Sequence, residues 1–427
     1  MSIIELGEIR DEPVAVPPVR TPRAVGRPMR TAAVLLLALV LLAGATPPPQ
    51  RMVSVVPASP AANTYLTADG VFVIDPPLPD QDRYLTAYAW PEPHGAAARR
   101  RWQASVPSGD AYVRVRVERG LVLATGADDG AGVFATTAFD AETGQQRWRH
   151  PGVPVPVTDG GLLLADIHQD ETDGMSRIEP DTGRVLWSVP LLSPSGPGFH
   201  LTDGRIDRFA LVQPTGEVQV HDADTGRLLR SVDTLPGDAS VFQRVQIVDD
   251  LLLLLTPGDV PMMMAYGLAG LEQLWTAQVS PVSFAVGCAD LLCVAGQDGS
   301  LQVLDPATGV VRWSDPPGRE LLADVRGDRL LMSGPSGQFA VRDAVTGRMR
   351  TELGVWDLAP TLRPDDPLVG MRHGDDGRLV VAELDLAAGE ARIRDVLPDI
   401  TGGCQASLPV LLCQRLDGST ALWRLRQ

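Results

Sequence analysis

A ten-residue line recurs seven times in the 427-residue chain, and it confines the fold more tightly than any other feature. Its pattern is an apolar residue, Asp, two residues, Thr-Gly, three residues and Trp. Copies run from Phe139 to Trp148, Ile178 to Trp187, His221 to Arg230, Tyr266 to Trp275, Leu304 to Trp313, Arg342 to Thr351 and Leu384 to Ile393. The glycines at Gly144, Gly183, Gly226, Gly270, Gly309, Gly347 and Gly389 lie 39, 43, 44, 39, 38 and 42 residues apart. A period near forty marks a chain built by stacking one supersecondary unit. The 37 prolines and 42 glycines supply turns throughout and argue against an all-helical fold.

Each period holds four short strand signals separated by turn residues. Between 282 and 314 these are Val282 to Val286, Leu291 to Ala295, Leu301 to Leu304 and Val310 to Ser314. Four strands per forty residues predict an all-β fold, a β-propeller of four-stranded blades. The chemistry of the line fits the turn between the third and fourth strands. Asp bonds backbone N–H groups ahead of it, and Gly takes the left-handed conformation that closes the hairpin. Trp then opens the outermost strand and is expected to wedge between neighbouring blades, its indole N–H finding a partner. Weaker packing is expected where Arg230, Thr351 or Ile393 replaces it.

The line D-x-x-T-G-x-x-x-W resembles the repeat of PQQ-like β-propellers, which include quinoprotein alcohol dehydrogenases and the BamB-type outer-membrane assembly scaffold. The resemblance covers about residues 65–427. All 37 basic residues are Arg, which points to a GC-rich genome, and the layout resembles exported actinobacterial proteins of this class. Read literally, the strand signals make nine blades, with Met52 to Val56 completing the last. The resemblance implies eight, the irregular segment from Tyr65 to Trp102 then sharing a blade with the C-terminus. Eight is the expected count, with seven or nine open.

Ahead of the repeats, residues 1–30 are polar, Pro-rich and without hydrophobic period, and read as a disordered cytoplasmic tail. Residues 31–46 are almost wholly apolar, and a helix there leads the fold. The segment is short for the hydrocarbon core of a bilayer. We read it as a retained transmembrane anchor, the alternative being a signal sequence cleaved near Ala45. The arginines before it place the N-terminus inside. Residues 47–62 form a Pro-rich linker, and 63–427 the propeller, outside the cytoplasm in either case. The four cysteines fit export. Cys288 and Cys293, and Cys404 and Cys413, each flank a turn between apolar runs and are expected to form two hairpin disulfides, with buried thiols as the alternative.

Net charge is −16, and residues 46–427 hold 49 acids against 32 arginines, or −17. That balance argues against nucleic-acid binding. The resemblance to quinoprotein dehydrogenases would imply PQQ with calcium held by Glu, Asn and Asp, and adjacent cysteines. The chain has no Cys-Cys pair, and its one asparagine is Asn63. It also has no C-x-x-C-H, G-x-S-x-G, H-E-x-x-H or P-loop. The six histidines (His94, His150, His168, His200, His221, His373) are scattered, and His221 reads as packed core. Asp166, Asp170, Glu171 and Asp173 form an acidic loop that departs from EF-hand spacing. Asp128-Asp129 and Asp375-Asp376 read as turns, and Arg99 to Arg101 as a solvated strand edge. No catalytic, cofactor or metal residue is assigned. The expected function is a monomeric, membrane-tethered scaffold or sensor for an envelope protein or small ligand, the alternative being a PQQ- and calcium-dependent dehydrogenase.

Overall fold

A computed structural model of the chain describes residues 52–426, apart from 60, 77–82, 91–97, 108–109, 129–131, 157–160, 169–170, 192–195, 203, 235–243, 257–259, 319 and 361–365. The expected tail, the apolar segment 31–46 and its helix lie outside these residues. Among the described residues no helix is long and apolar enough to cross a membrane.

The described residues form nine four-stranded antiparallel sheets, not eight. Blades 1 to 8 are residues 63–106, 110–151, 153–190, 198–233, 244–278, 282–315, 321–355 and 357–397. In each, the four strands follow one another in sequence order. Blade 9 takes Ile400–Ser407, Val410–Arg415 and Thr420–Arg424 from the C-terminal end. Its fourth strand is Met52–Val56, running antiparallel to Thr420–Arg424 with Met52 opposite Trp423 and Val56 opposite Thr420.

The irregular segment explains the corrected count. It shares no blade with the C-terminus, because it is a complete blade: Asn63–Thr67, Gly70–Ile74, Arg83–Tyr88 and Arg100–Val106. It lacks the Asp-x-x-Thr-Gly line between its third and fourth strands, so it does not read as a repeat. Trp102 nonetheless sits opposite Ala87, as Trp148 sits opposite Ala138 in blade 2.

Burial explains why the second strands are unbroken apolar runs. A strand flanked by a blade on each side must be apolar on both faces. In blade 5, Leu252 and Leu254 pack toward blade 4, whereas Leu253 and Leu255 pack toward blade 6. The same alternation gives nine apolar clusters, one at each junction of successive blades. The junction of blades 9 and 1 holds Val56, Leu412 and Leu422 against Leu66, Val71 and Val73, which closes the ring. Gln405 seals the same junction: its amide donates to the Thr64 carbonyl, and its Oε1 accepts the Leu66 N–H at 2.8 Å.

The two disulfides are Cys288–Cys293 and Cys404–Cys413. Each ties the inner strand of its blade to the second strand, in blades 6 and 9. Closing such short loops stabilises by roughly 2–3 kcal/mol each.

Candidate functional site

The recurring line builds a staple between blades. The Trp of one blade lies over the Gly of the next blade's turn. Its indole N–H donates to a backbone carbonyl of that turn, Trp148 to Pro180 at 2.6 Å and Trp313 to Ala344 at 2.9 Å. Trp102, Trp187 and Trp275 do the same to Ala141, Asp224 and Pro306. A Cβ on Gly183 would fall 2.5 Å from Trp148, and one on Gly144, Gly226, Gly309 or Gly347 would fall within 2.8 Å of Trp102, Trp187, Trp275 or Trp313. These glycines are needed twice over, for a positive φ and for room under an indole.

Blade 5 departs from the pattern. Gly270, expected at the left-handed position, does not hold it; Leu271 does, with φ 58° and its N–H on the Gly267 carbonyl. The outer strand of blade 4 carries Arg230 in place of Trp, so no indole covers that turn. The Leu271 side chain is buried in the junction of blades 4 and 5. In blade 8, Gly389 is covered by Thr351 of blade 7. Blade 9 has no continuous turn between its third and fourth strands, and Ile393, in the Trp place of blade 8, is 60% exposed.

The Asp of the line holds each turn from within. Asp343 Oδ1 accepts the Thr346 N–H at 2.8 Å and its hydroxyl at 2.9 Å, and Oδ2 accepts from Arg350. The Arg350 guanidinium, against the opposing effect of burial, and the Thr346 bonds hold the carboxyl down at about 2. Arg147 and Thr143 lower Asp140, and Arg312 lowers Asp305, in the same way. The depressed carboxyl pKa values here belong to turn construction.

The described histidines serve backbone or a neighbouring carboxylate. His150 Nε2 meets the Gly183 carbonyl at 2.6 Å, and His373 Nε2 meets Ile400 O at 3.1 Å. His221 is buried, stacks on Phe209 and bonds the Gly226 carbonyl. His200 Nδ1 lies 2.5 Å from Asp207 Oδ1. His94 lies outside the described residues, and nothing is described of the His168 side chain. The acidic run is a hairpin end, with Asp166 opposite Gly174 and His168 opposite Glu171; Asp170 lies outside the described residues. Asp376 caps a turn by accepting the Arg378 N–H, while Asp129 lies outside the described residues. Arg99, Arg100 and Arg101 are exposed at the start of the outer strand of blade 1.

Sequence spacing gave no hint of a cavity on blade 7. It measures about 270 Å³ and is lined by Glu320, Gly334, Pro335, Gln338, Phe339, Ala340, Met349, Glu352 and Gly354. Ala340 contributes only a methyl group to its wall. The equivalent register position, one before the residue facing the Trp place, is Gln302 in blade 6 and Met264 in blade 5. In blade 6 that longer side chain is spent on the chain itself, Gln302 Oε1 accepting the Ser280 N–H at 3.1 Å.

A family model described as outer membrane protein assembly factor BamB, of the PQQ-like repeat type, matches residues 132–316 and, overlapping, 214–369. Together the matches span 132–369, more than half of the chain. The chain belongs to this repeat family.

No curated relative matches the chain. Solved propellers are similar to it at low identity. BamB from Moraxella catarrhalis is 13% identical, covering 85% of this chain and 93% of that one, with a TM-score of 0.45. A computationally designed protein, Ika8, is 17% identical over 74% and 96%, with a TM-score of 0.46. A europium-containing methanol dehydrogenase is 12% identical over 75% and 81%, with a TM-score of 0.44. These likenesses assign neither an activity nor a partner.

Within the family, PQQ and calcium as the quinoprotein resemblance implies them do not fit the residues present. Asn63 is exposed at the start of the inner strand of blade 1. All four cysteines are engaged within hairpins. Among the described residues no three His, Cys, Asp or Glu side chains are grouped to hold a metal ion.

Proposed function

We propose that the chain is a membrane-tethered, extracytoplasmic ring that acts without catalysis as a binding scaffold or sensor for a protein or small ligand. The observation that carries this reading is how its polar groups are used. The repeat carboxylates hold turns, and His150, His221 and His373 hold backbone carbonyls. What remains free to vary is the set of loops displayed on a rigid disc, the usual binding surface of this architecture. Membership of a family described as an assembly factor supports the same reading.

Topology supports a direction for the display. The chain enters the ring at Met52, beside Trp423, on the side where the other blades carry their third-to-fourth turns. The opposite side carries the second-to-third turns and the crossovers between blades, and we take it as the face that meets partners.

The test is titration of the full-length chain with PQQ and calcium, read by calorimetry and by dye reduction with alcohols and sugars, beside crosslinking in envelopes. The scaffold reading expects no turnover and a specific crosslinked partner. Micromolar PQQ binding with turnover would replace it with a divergent quinoprotein.

A further inference from the structure

We propose that the cavity on blade 7 receives an arginine side chain from a basic segment of a partner protein. The proposal rests on the scaffold reading and names the chemistry of one contact. At about 270 Å³ the cavity falls below the size range of drug-sized ligand pockets and suits one long side chain.

Its charge is negative. Arg342 Nη1 lies 2.5 Å from Asp315 Oδ2, and Arg342 Nη2 lies 2.7 Å from Glu320 Oε2. Two acids thus share one arginine, leaving one net negative charge on the group of which Glu320 reaches the cavity wall. Glu352, exposed on the outer strand Met349–Val355, adds a second and takes part in no ion pair among the described residues. The equivalent outer-strand positions are Ser314 in blade 6, Thr276 in blade 5 and Ser231 in blade 4, so a carboxylate there distinguishes blade 7 from those three.

The remaining walls suit a guanidinium more than a metal ion. Phe339, Ala340 and Met349 offer apolar surface to the methylene stem and the flat guanidinium face. The Gln338 side-chain amide can accept one N–H, and the two carboxylates can accept the others. A small hard cation would want more oxygens than this wall supplies. Gln338 ends the second-to-third turn and Glu320 ends the crossover from blade 6. Both lie on the side of the ring opposite Met52, the face taken to meet partners in the scaffold reading.

The test is calorimetric titration of the full-length chain with the capped peptide Gly-Arg-Gly, using Gly-citrulline-Gly as the neutral isostere. Saturable binding of the arginine peptide, at least tenfold tighter than the citrulline peptide, is expected. Glu352→Gln should weaken it about tenfold, the loss of one charge-assisted contact. Ala340→Gln should abolish it by filling the cavity with the residue blade 6 carries at that position, and an unchanged thermal midpoint would show that the ring is intact. Equal affinity for the two peptides, no saturable binding, or binding indifferent to Ala340→Gln would overturn the proposal. Envelope crosslinks that survive both substitutions would remove the cavity as a contact and leave the scaffold reading standing. Turnover with PQQ would remove the scaffold reading by a separate measurement.

Discussion

Arg230 and Leu271 depart from the repeat together. Arg230 stands where five other blades place Trp, and Leu271 stands in the next blade's turn where glycine otherwise lies under that Trp. With no indole to cover the turn, the leucine side chain packs into the junction itself, and its left-handed backbone is the cost. The two positions should therefore be coupled. Arg230→Trp alone has no glycine to sit on and should destabilise by roughly 1–3 kcal/mol. Leu271→Gly alone should destabilise by a similar amount, since a lost buried side chain outweighs the relieved backbone. The double variant should recover at least about 1 kcal/mol relative to the sum, as neighbours in contact do. Denaturant midpoints of the four proteins measure this, and strict additivity would refute the coupling.

Gly183 and Gly204 separate backbone freedom from space. Their φ angles are 72° and 73°, but a Cβ on Gly183 would strike Trp148, whereas one on Gly204 meets nothing within 4 Å. Gly204→Ala should cost about 1–2 kcal/mol, the left-handed penalty alone. Gly183→Ala should cost roughly 2–5 kcal/mol, because overpacking adds to that penalty. Equal shifts in the thermal midpoint would show that the indole yields freely.

Acid should loosen the turns over a defined window. The Asp343 carboxyl is depressed in the folded ring, to about 2 from 3.8. Its contribution is therefore fully present above about pH 4 and is lost as pH falls toward 2. Asp140 and Asp305, depressed by their own arginines, act in the same direction. Urea midpoints recorded from pH 5 to pH 2 should fall in wild type and fall less steeply in Asp343→Asn. An unchanged slope in the variant would mean that other carboxylates carry the effect.

The disulfides give a chemical count. Alkylation of the native protein should label no cysteine, and alkylation after unfolding with reductant should label four. Replacing Cys288 and Cys293 with serine should lower stability by roughly 2–3 kcal/mol. Four labelled thiols in the native protein would exclude both bonds.

The staple was legible in sequence because its parts are local: Asp, Thr and Gly make a turn, and Trp follows at a fixed interval. Where chemistry was replaced, reading failed. The Tyr266–Trp275 copy has Gly267 for Asp and Gly270 for Thr, so its one plausible glycine stands a residue ahead of the left-handed position that Leu271 holds. The count failed differently. The strand signals themselves made nine blades, and the family resemblance drew the expectation to eight. Blade 7 shows the limit of spacing arguments. Its cavity gathers Glu320, Gln338, Ala340 and Glu352 only once the sheet has formed.

The fourth strand of blade 9 carries a mechanical consequence. No covalent bond joins Met52–Val56 to Thr420–Arg424, so ring closure waits until residues 420–424 have been made. This is a contact of extreme sequence separation, the kind whose loop-closure cost slows folding in general. Because Met52 faces Trp423, tension between those two points would load the ladder from one end and open its hydrogen bonds in succession, as a zipper does. A pull on any inner strand would instead shear whole sheets. A ring fastened this way has one end, at Met52, from which its closing strand can be peeled.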